Sequence, residues 1–147
     1  MTQEKDNRTT LLIGEKGIEN LKKSTVLVAG CGAVGGFALE ALARAGVGHL
    51  IVIDFDTFDV TNLNRQLFAT TKTLGELKTK SVEERLKSIN PEIIITQKPI
   101  KISAKTMEPV SSIICVSTGT LMIKSSPPAP VQLRPAPFLP RSALKCC

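Results

Sequence analysis

The stretch "TVLVAGCGAVGGFALEALARAGVGHLIVID", residues 25–54, decides the fold. Residues 25–30 are an apolar run that breaks into glycines, the pattern of a buried strand. From Ala33 to Ala45 the positions Ala33, Val34, Phe37, Ala38, Ala41, Leu42 and Ala45 keep helical spacing, and Gly46 and Gly48 end the element. A second buried strand follows at 49–54. Strand, glycine turn, helix and strand make a βαβ unit, whose crossover is right-handed and whose strands are parallel.

The turn itself, Gly30-Cys31-Gly32-Ala33-Val34-Gly35, is a G-x-G-x-x-G set between strand and helix, the context that gives this motif meaning. Residues without Cβ let the backbone approach a phosphate, and the helix N-terminus offers unpaired N–H groups and a partial positive charge. Gly30, Gly32 and Gly35 are therefore nucleotide-binding candidates, and Asp54, at the tip of the second strand, stands where a carboxylate takes ribose hydroxyls. Alternatively, the glycines serve only close helix–strand packing. The turn does not separate NAD from ATP. The separation comes from "IDFDTFDVTNLNRQLF" (53–68) and "LGELKTKS" (74–81), where Asn62, Asn64, Arg65, Gln66 and Lys78 crowd polar and cationic groups after the second strand. Arginine and lysine supply forked and point-charge contacts suited to a triphosphate. Lys78 alone would be an ordinary surface lysine; beside the glycine turn it becomes a phosphate ligand.

Outward from this unit, 15–23 predicts a short surface helix after Gly14, and 55–73 a long functional loop. A helix over 75–88 buries Leu77, Val82 and Leu86 and stops at Asn90-Pro91. Residues 92–97 and 111–117 predict a third and a fourth strand. The expected fold class is α/β: a Rossmann-like, mostly parallel sheet with helices on both faces, of which this chain holds the N-terminal half. After about residue 118 the period is lost; Pro127, Pro128, Pro130, Pro135, Pro137 and Pro140 follow in a run without acids. Residues 1–118 are thus expected to form a nucleotide-binding domain and 119–147 a Pro-rich disordered tail.

At 147 residues the chain has length for about one domain. Its net charge of +6 owes four charges to Lys124, Arg134, Arg141 and Lys145 in the tail, so the rest has too small an excess to argue a nucleic-acid partner by itself. Cysteines at 31, 115, 146 and 147 form no C-x-x-C pair, which leaves neither a zinc site nor a disulfide framework legible. Met1–Thr10 has no apolar targeting core, and no apolar run approaches ~20 residues, so a cytoplasmic protein without a membrane partner is expected. Cys31 is expected to be a buried filler and no catalytic thiol, because the single histidine, His49, begins the second strand.

Residues 8 to 92 resemble the N-terminal half of the ThiF/MoeB/HesA superfamily, adenylating enzymes related to ubiquitin-activating enzymes. The Arg8-x-x-Leu-Leu opening with Gly14-Glu15, and "ALARAGVG" over 41–48, most resemble the branch that dehydrates threonylcarbamoyladenosine in tRNA to its cyclic form. The resemblance implies that Asp54 holds the ribose with Asp56 as its partner, and that Asn62, Arg65 and Gln66 contact ATP phosphates. It implies Lys78 as the phosphate lysine. Arg8 would reach into the neighbouring subunit's ATP, so a homodimer with tRNA as substrate is implied. Arg8, Arg65 and Lys78 are the catalytic candidates, since cations stabilise charge that builds as diphosphate leaves.

Two departures stand out. Ala33 replaces a common family glycine, and the resemblance implies a magnesium ion held by an aspartate beyond a fourth strand, whereas no aspartate follows Asp59. The change to a Pro/Ser/Arg run near 110–118 suggests a shifted reading frame or an aberrant product, with nucleotide binding but little turnover. Three other functions compete: a sulfur-carrier adenylyltransferase acting on a ubiquitin-like protein, a non-catalytic fragment, and an NAD-dependent dehydrogenase.

Overall fold

Strand residues alternate between two faces, and in the computed structural model of the protein, which describes residues 2–101, 113–117 and 120–124, that alternation builds a five-stranded sheet. The elements run α1 (Thr2–Lys23), β1 (Thr25–Ala29), α2 (Ala33–Ala45), β2 (His49–Ile53), α3 (Lys78–Ile89), β3 (Ile94–Lys98), β4 (Ile113–Ser117) and β5 (Thr120–Lys124). Their order across the sheet is β3-β2-β1-β4-β5. β1 pairs parallel with β2 and β4, and β2 with β3, while β5 runs antiparallel to β4.

Pairing Val28 with Val52 and Leu27 with Ile51 puts residues of like parity on one face. Val28, Leu50 and Val52 therefore form one core with Leu39 and Ala43 of α2 and Val82 and Leu86 of α3. Leu27, Ala29 and Ile53 form a second cluster on the opposite face. Burial on both faces is the condition of a parallel sheet, and it explains why these strands are apolar throughout. The architecture is the Rossmann-like, mostly parallel one expected. α2 and α3 both stand on the Val28 face, and among the described residues no helix contributes to the second cluster. The chain adds β2 and β3 on one side of β1 and β4 on the other, so the strand order reverses beside β1. In open α/β sheets, ligands bind at the carboxyl ends of strands at such a reversal.

Three elements differ from expectation. α1 starts at Thr2 and breaks at Gly14 (φ 71°, ψ 170°), where the sequence predicted only a helix over 15–23. Its first half is held by charge: Lys22 Nζ lies 2.8 Å from Asp6 Oδ2, and Lys5 Nζ donates to Asn90 Oδ1 at 2.9 Å. A helix anchored this way leaves no apolar period to read. α3 starts at Lys78 instead of 75, because Thr57 and Leu77 form an antiparallel bridge and Gly75 donates to the Phe58 carbonyl at 2.8 Å. β5 lies inside the range expected as tail; Thr120 to Lys124 pair residue for residue with β4. Five residues before a proline run are too few to show a period. Residues 125–147, with the proline run and Cys146-Cys147, lie outside the described residues. No described helix is long and apolar enough to cross a membrane.

Candidate functional site

At the carboxyl end of β1 the chain turns through Gly30 at φ 97°, a left-handed conformation open to glycine, and the Gly30 N–H donates to the Ile53 carbonyl at 2.7 Å. Gly35 is required for a different reason: a Cβ there would lie 1.8 Å from the Gly30 carbonyl oxygen. Gly32, the N-cap of α2, has no atom within 4 Å of where its Cβ would stand. One glycine of the motif thus serves helix–strand packing, and another leaves open space at the helix start. The first N–H groups of α2 have no intrahelical acceptors and face that space.

Asp54 follows β2 and is buried. Its Oδ2 accepts the Cys31 N–H at 2.7 Å and its Oδ1 accepts the Asp56 N–H at 3.0 Å. The carboxylate therefore braces the glycine turn against the next loop. Cys31 beneath it is fully buried, and burial, together with the Asp54 charge, pushes its thiol far above the ordinary range despite the opposing Lys78 charge. This matches a filler residue.

Lys78 opens α3, and its side chain is buried. Its Nζ donates to Asp56 Oδ2 at 3.1 Å and stands 5.9 Å from the Phe58 ring centroid. Its backbone N–H donates to the Asp56 carbonyl at 3.0 Å, so the Thr57–Leu77 strap fixes the ammonium beside the Asp54-braced turn. The loop between supplies the other candidates. Asn62 is buried and turned to its own loop: its Oδ1 accepts the Asp59 N–H at 3.1 Å, while Asp59 accepts from Thr61. It closes a capping box with Asp59, a signal readable in the Asp-x-x-Asn spacing. Arg65 is exposed, donates to the Thr61 carbonyl at 2.7 Å and to Asn64 Oδ1 at 3.0 Å, and has no carboxylate partner among the described residues. Gln66 is buried with Oε1 unpartnered among the described residues, one residue before the Leu67-Phe68 pair that packs on Gly36.

Arg8 is not part of this cluster. Two residues away, Asp6 lies against Gly46 at the C-terminal end of α2, and α2 is 13 residues, about 20 Å, long. Sequence reasoning missed a small cavity of about 240 Å³ beside the turn, lined by Gly30, Ile53, Asp54, Phe55, Ile100 and Lys101. The Lys101 ammonium stands 5.9 Å from the Phe55 ring centroid. Beyond Gly30 and Asp54, the added residues Phe55, Ile100 and Lys101 follow β2 and β3, and only the rule that ligands sit at strand carboxyl ends could have singled them out. A larger cavity of about 650 Å³ lies along α1 among Glu4, Asp6, Glu15, Glu19 and Lys22, a lining whose net negative charge disfavours phosphate.

The N-terminus of α2, a fixed ammonium and a guanidinium without a carboxylate partner among the described residues suit an oligophosphate, with the Phe55–Ile100 cavity beside the turn sized for a flat apolar group. The same residues do not fit a magnesium ion. Among the described residues no group of three or more His, Cys, Asp or Glu side chains could hold a metal. Asp54 spends both oxygens on N–H groups, and Asp56 is paired to Lys78.

Residues 6–121 match the ThiF family. The tRNA threonylcarbamoyladenosine dehydratase of Bacillus subtilis is 51% identical over 86 residues, covering 58% of this chain and 34% of the relative. The molybdopterin-synthase adenylyltransferase of Salmonella typhimurium is 46% identical over 92 residues, covering 61% of this chain and 37% of the relative. The chain thus spans about a third of the length of the curated relatives it matches. The crystal structure of the Escherichia coli tRNA N6-threonylcarbamoyladenosine dehydratase in complex with ATP superposes with a TM-score of 0.74 at 34% identity, covering 78% of this chain and 49% of that one.

Proposed function

The chain belongs to the ThiF family, and from that premise we propose that it is the nucleotide-binding part of an ATP-dependent adenylating enzyme of the tRNA threonylcarbamoyladenosine dehydratase type. The observation that carries this reading is the Lys78 ammonium fixed beside a glycine turn whose open face, at Gly32, leads to unpaired N–H groups. In such a reaction a substrate carboxylate oxygen attacks the α-phosphorus of ATP, the bond to diphosphate breaks, and an acyl adenylate remains. The carbamoyl group then closes onto the activated carbon and AMP leaves. The tasks of this chain are to seat ATP and to neutralise charge that develops as diphosphate departs. The α2 N-terminus and Lys78 take phosphates, Arg65 and Gln66 line their exit, the Asp54–Asp56 side takes the ribose, and the Phe55–Ile100 cavity takes the base.

A homodimer belongs to this proposal. Arg8 follows Asp6, which lies against Gly46 at the far end of α2, a placement that suits Arg8 serving the glycine turn of a second copy. Exposed Val34 and Phe37 on α2, with Val60 and Leu63 in the loop after β2, suit the covering of that rim by a second copy. Isothermal titration of the chain with ATP tests the reading, followed by release of AMP dependent on tRNA carrying threonylcarbamoyladenosine. Binding of ATP supports it; no ATP binding, or equal affinity for NAD, refutes it. The identity to the Salmonella adenylyltransferase favours a second reading, adenylation of a ubiquitin-like sulfur carrier. Exchange of labelled diphosphate into ATP that needs such a carrier would select it.

A further inference from the structure

We infer that this chain takes its nucleotide free of metal, with the protein's own cations doing the neutralising that a divalent ion would otherwise do. The inference rests on the nucleotide reading above. Magnesium demands octahedral oxygen ligands and is bound through one or two carboxylates plus substrate phosphates. Three carboxylates, Asp54, Asp56 and Asp59, follow β2, and each has at least one oxygen engaged by the protein itself. Asp54 gives Oδ2 to Cys31 and Oδ1 to Asp56. Asp56 Oδ2 holds the Lys78 ammonium at 3.1 Å. Asp59 Oδ1 accepts the Thr61 N–H at 2.9 Å.

The strand on the other side of the reversal offers nothing more. β4 pairs with β1 through Ala29 and Cys115, and its residues Ile113-Ile114-Cys115-Val116-Ser117 include no carboxylate. No aspartate follows Asp59 in the whole sequence, and the last acid is Glu108. Cations are instead plentiful: Lys78 in the site, Arg65 without a carboxylate partner among the described residues, and Lys101 at the small cavity. A chelated ion would lower the negative charge of the triphosphate and so weaken its attraction to these groups.

Titration calorimetry of the 147-residue chain with ATP, in EDTA and again in excess MgCl2, tests this. The Kd in EDTA is expected to equal or fall below that in magnesium, and a tightening by magnesium of more than about threefold overturns the inference. The Lys78→Met variant, shown to be folded by its melting curve, is expected to lose more than about threefold in affinity in EDTA; a smaller loss overturns the substitution of lysine for metal. No ATP binding in either buffer overturns the nucleotide reading itself, which separates the two failures.

Discussion

Alanine at Gly32 and alanine at Gly35 each add one methyl to the same turn, with opposite expected effects. At Gly35 the new Cβ would stand 1.8 Å from the Gly30 carbonyl oxygen and 2.9 Å from its carbon, both backbone. The partners cannot yield easily, since Gly30 is tied to Ile53 at 2.7 Å and Cys31 to Asp54 at 2.7 Å. Overpacking of this kind costs about 1–3 kcal/mol, and backbone on both sides puts the cost at the upper end. Alanine regains about 1 kcal/mol of helix propensity over glycine, leaving a net loss of about 2 kcal/mol. For a domain of this size that lowers Tm by roughly 6–10 °C. At Gly32 nothing lies within 4 Å and φ is −74°, so only the N-cap preference is lost. That costs about 0.5–1 kcal/mol. The methyl, however, fills the approach to the α2 N–H groups, and the ATP affinity is expected to fall at least about tenfold, or ~1.4 kcal/mol. Thermal melts followed by circular dichroism and titration calorimetry with ATP read the two effects separately. Wild-type ATP affinity in Gly32→Ala would refute the turn as phosphate cradle, and a wild-type Tm in Gly35→Ala would refute the packing account.

Three further outcomes are expected. Cys31, buried and with its thiol pushed up, stays unmodified by iodoacetamide at ~pH 8 in the folded protein and is labelled only in urea, as peptide mass spectrometry reads out. Glu40 of α2 accepts from Arg44 of its own helix and from Arg85 of α3, and the hydrogen bond from Arg44, then that from Arg85, holds its carboxyl below the usual range. A depressed folded value stabilises above the usual glutamate range and the gain is lost as pH falls through it, so wild type outmelts Glu40→Gln near neutrality and loses that lead below ~pH 4. Leu39, fully buried between α2 and the sheet, costs about 2–5 kcal/mol when cut to alanine, measured by urea unfolding.

The βαβ unit was legible because strand burial, helical spacing and glycines each leave a pattern in one short window. Lys78 was legible only in company, and its placement needed the Thr57–Leu77 bridge, which no local pattern announces. The capping bond of Asn62 was not legible from its residue type alone, because a polar residue in a loop looks alike whether it faces a ligand or caps its own turn. The first half of α1 was invisible for the converse reason: Lys5, Asp6 and Lys22 hold it through charge, with no apolar stripe. Phe55, Ile100 and Lys101 meet across two strand ends, a contact that depends on sheet order and not on sequence spacing.

Asp54 faces an N–H donor at each oxygen. Asparagine, nearly the same in shape, would turn an NH2 toward one of those donors, and glutamate would carry the acceptors out of reach. Selection for a folded chain would therefore hold aspartate at this position even in a lineage that had stopped using nucleotide. At Gly32, by contrast, no described atom lies within 4 Å of an added Cβ, so a demand for glycine there would come from a ligand and not from the fold.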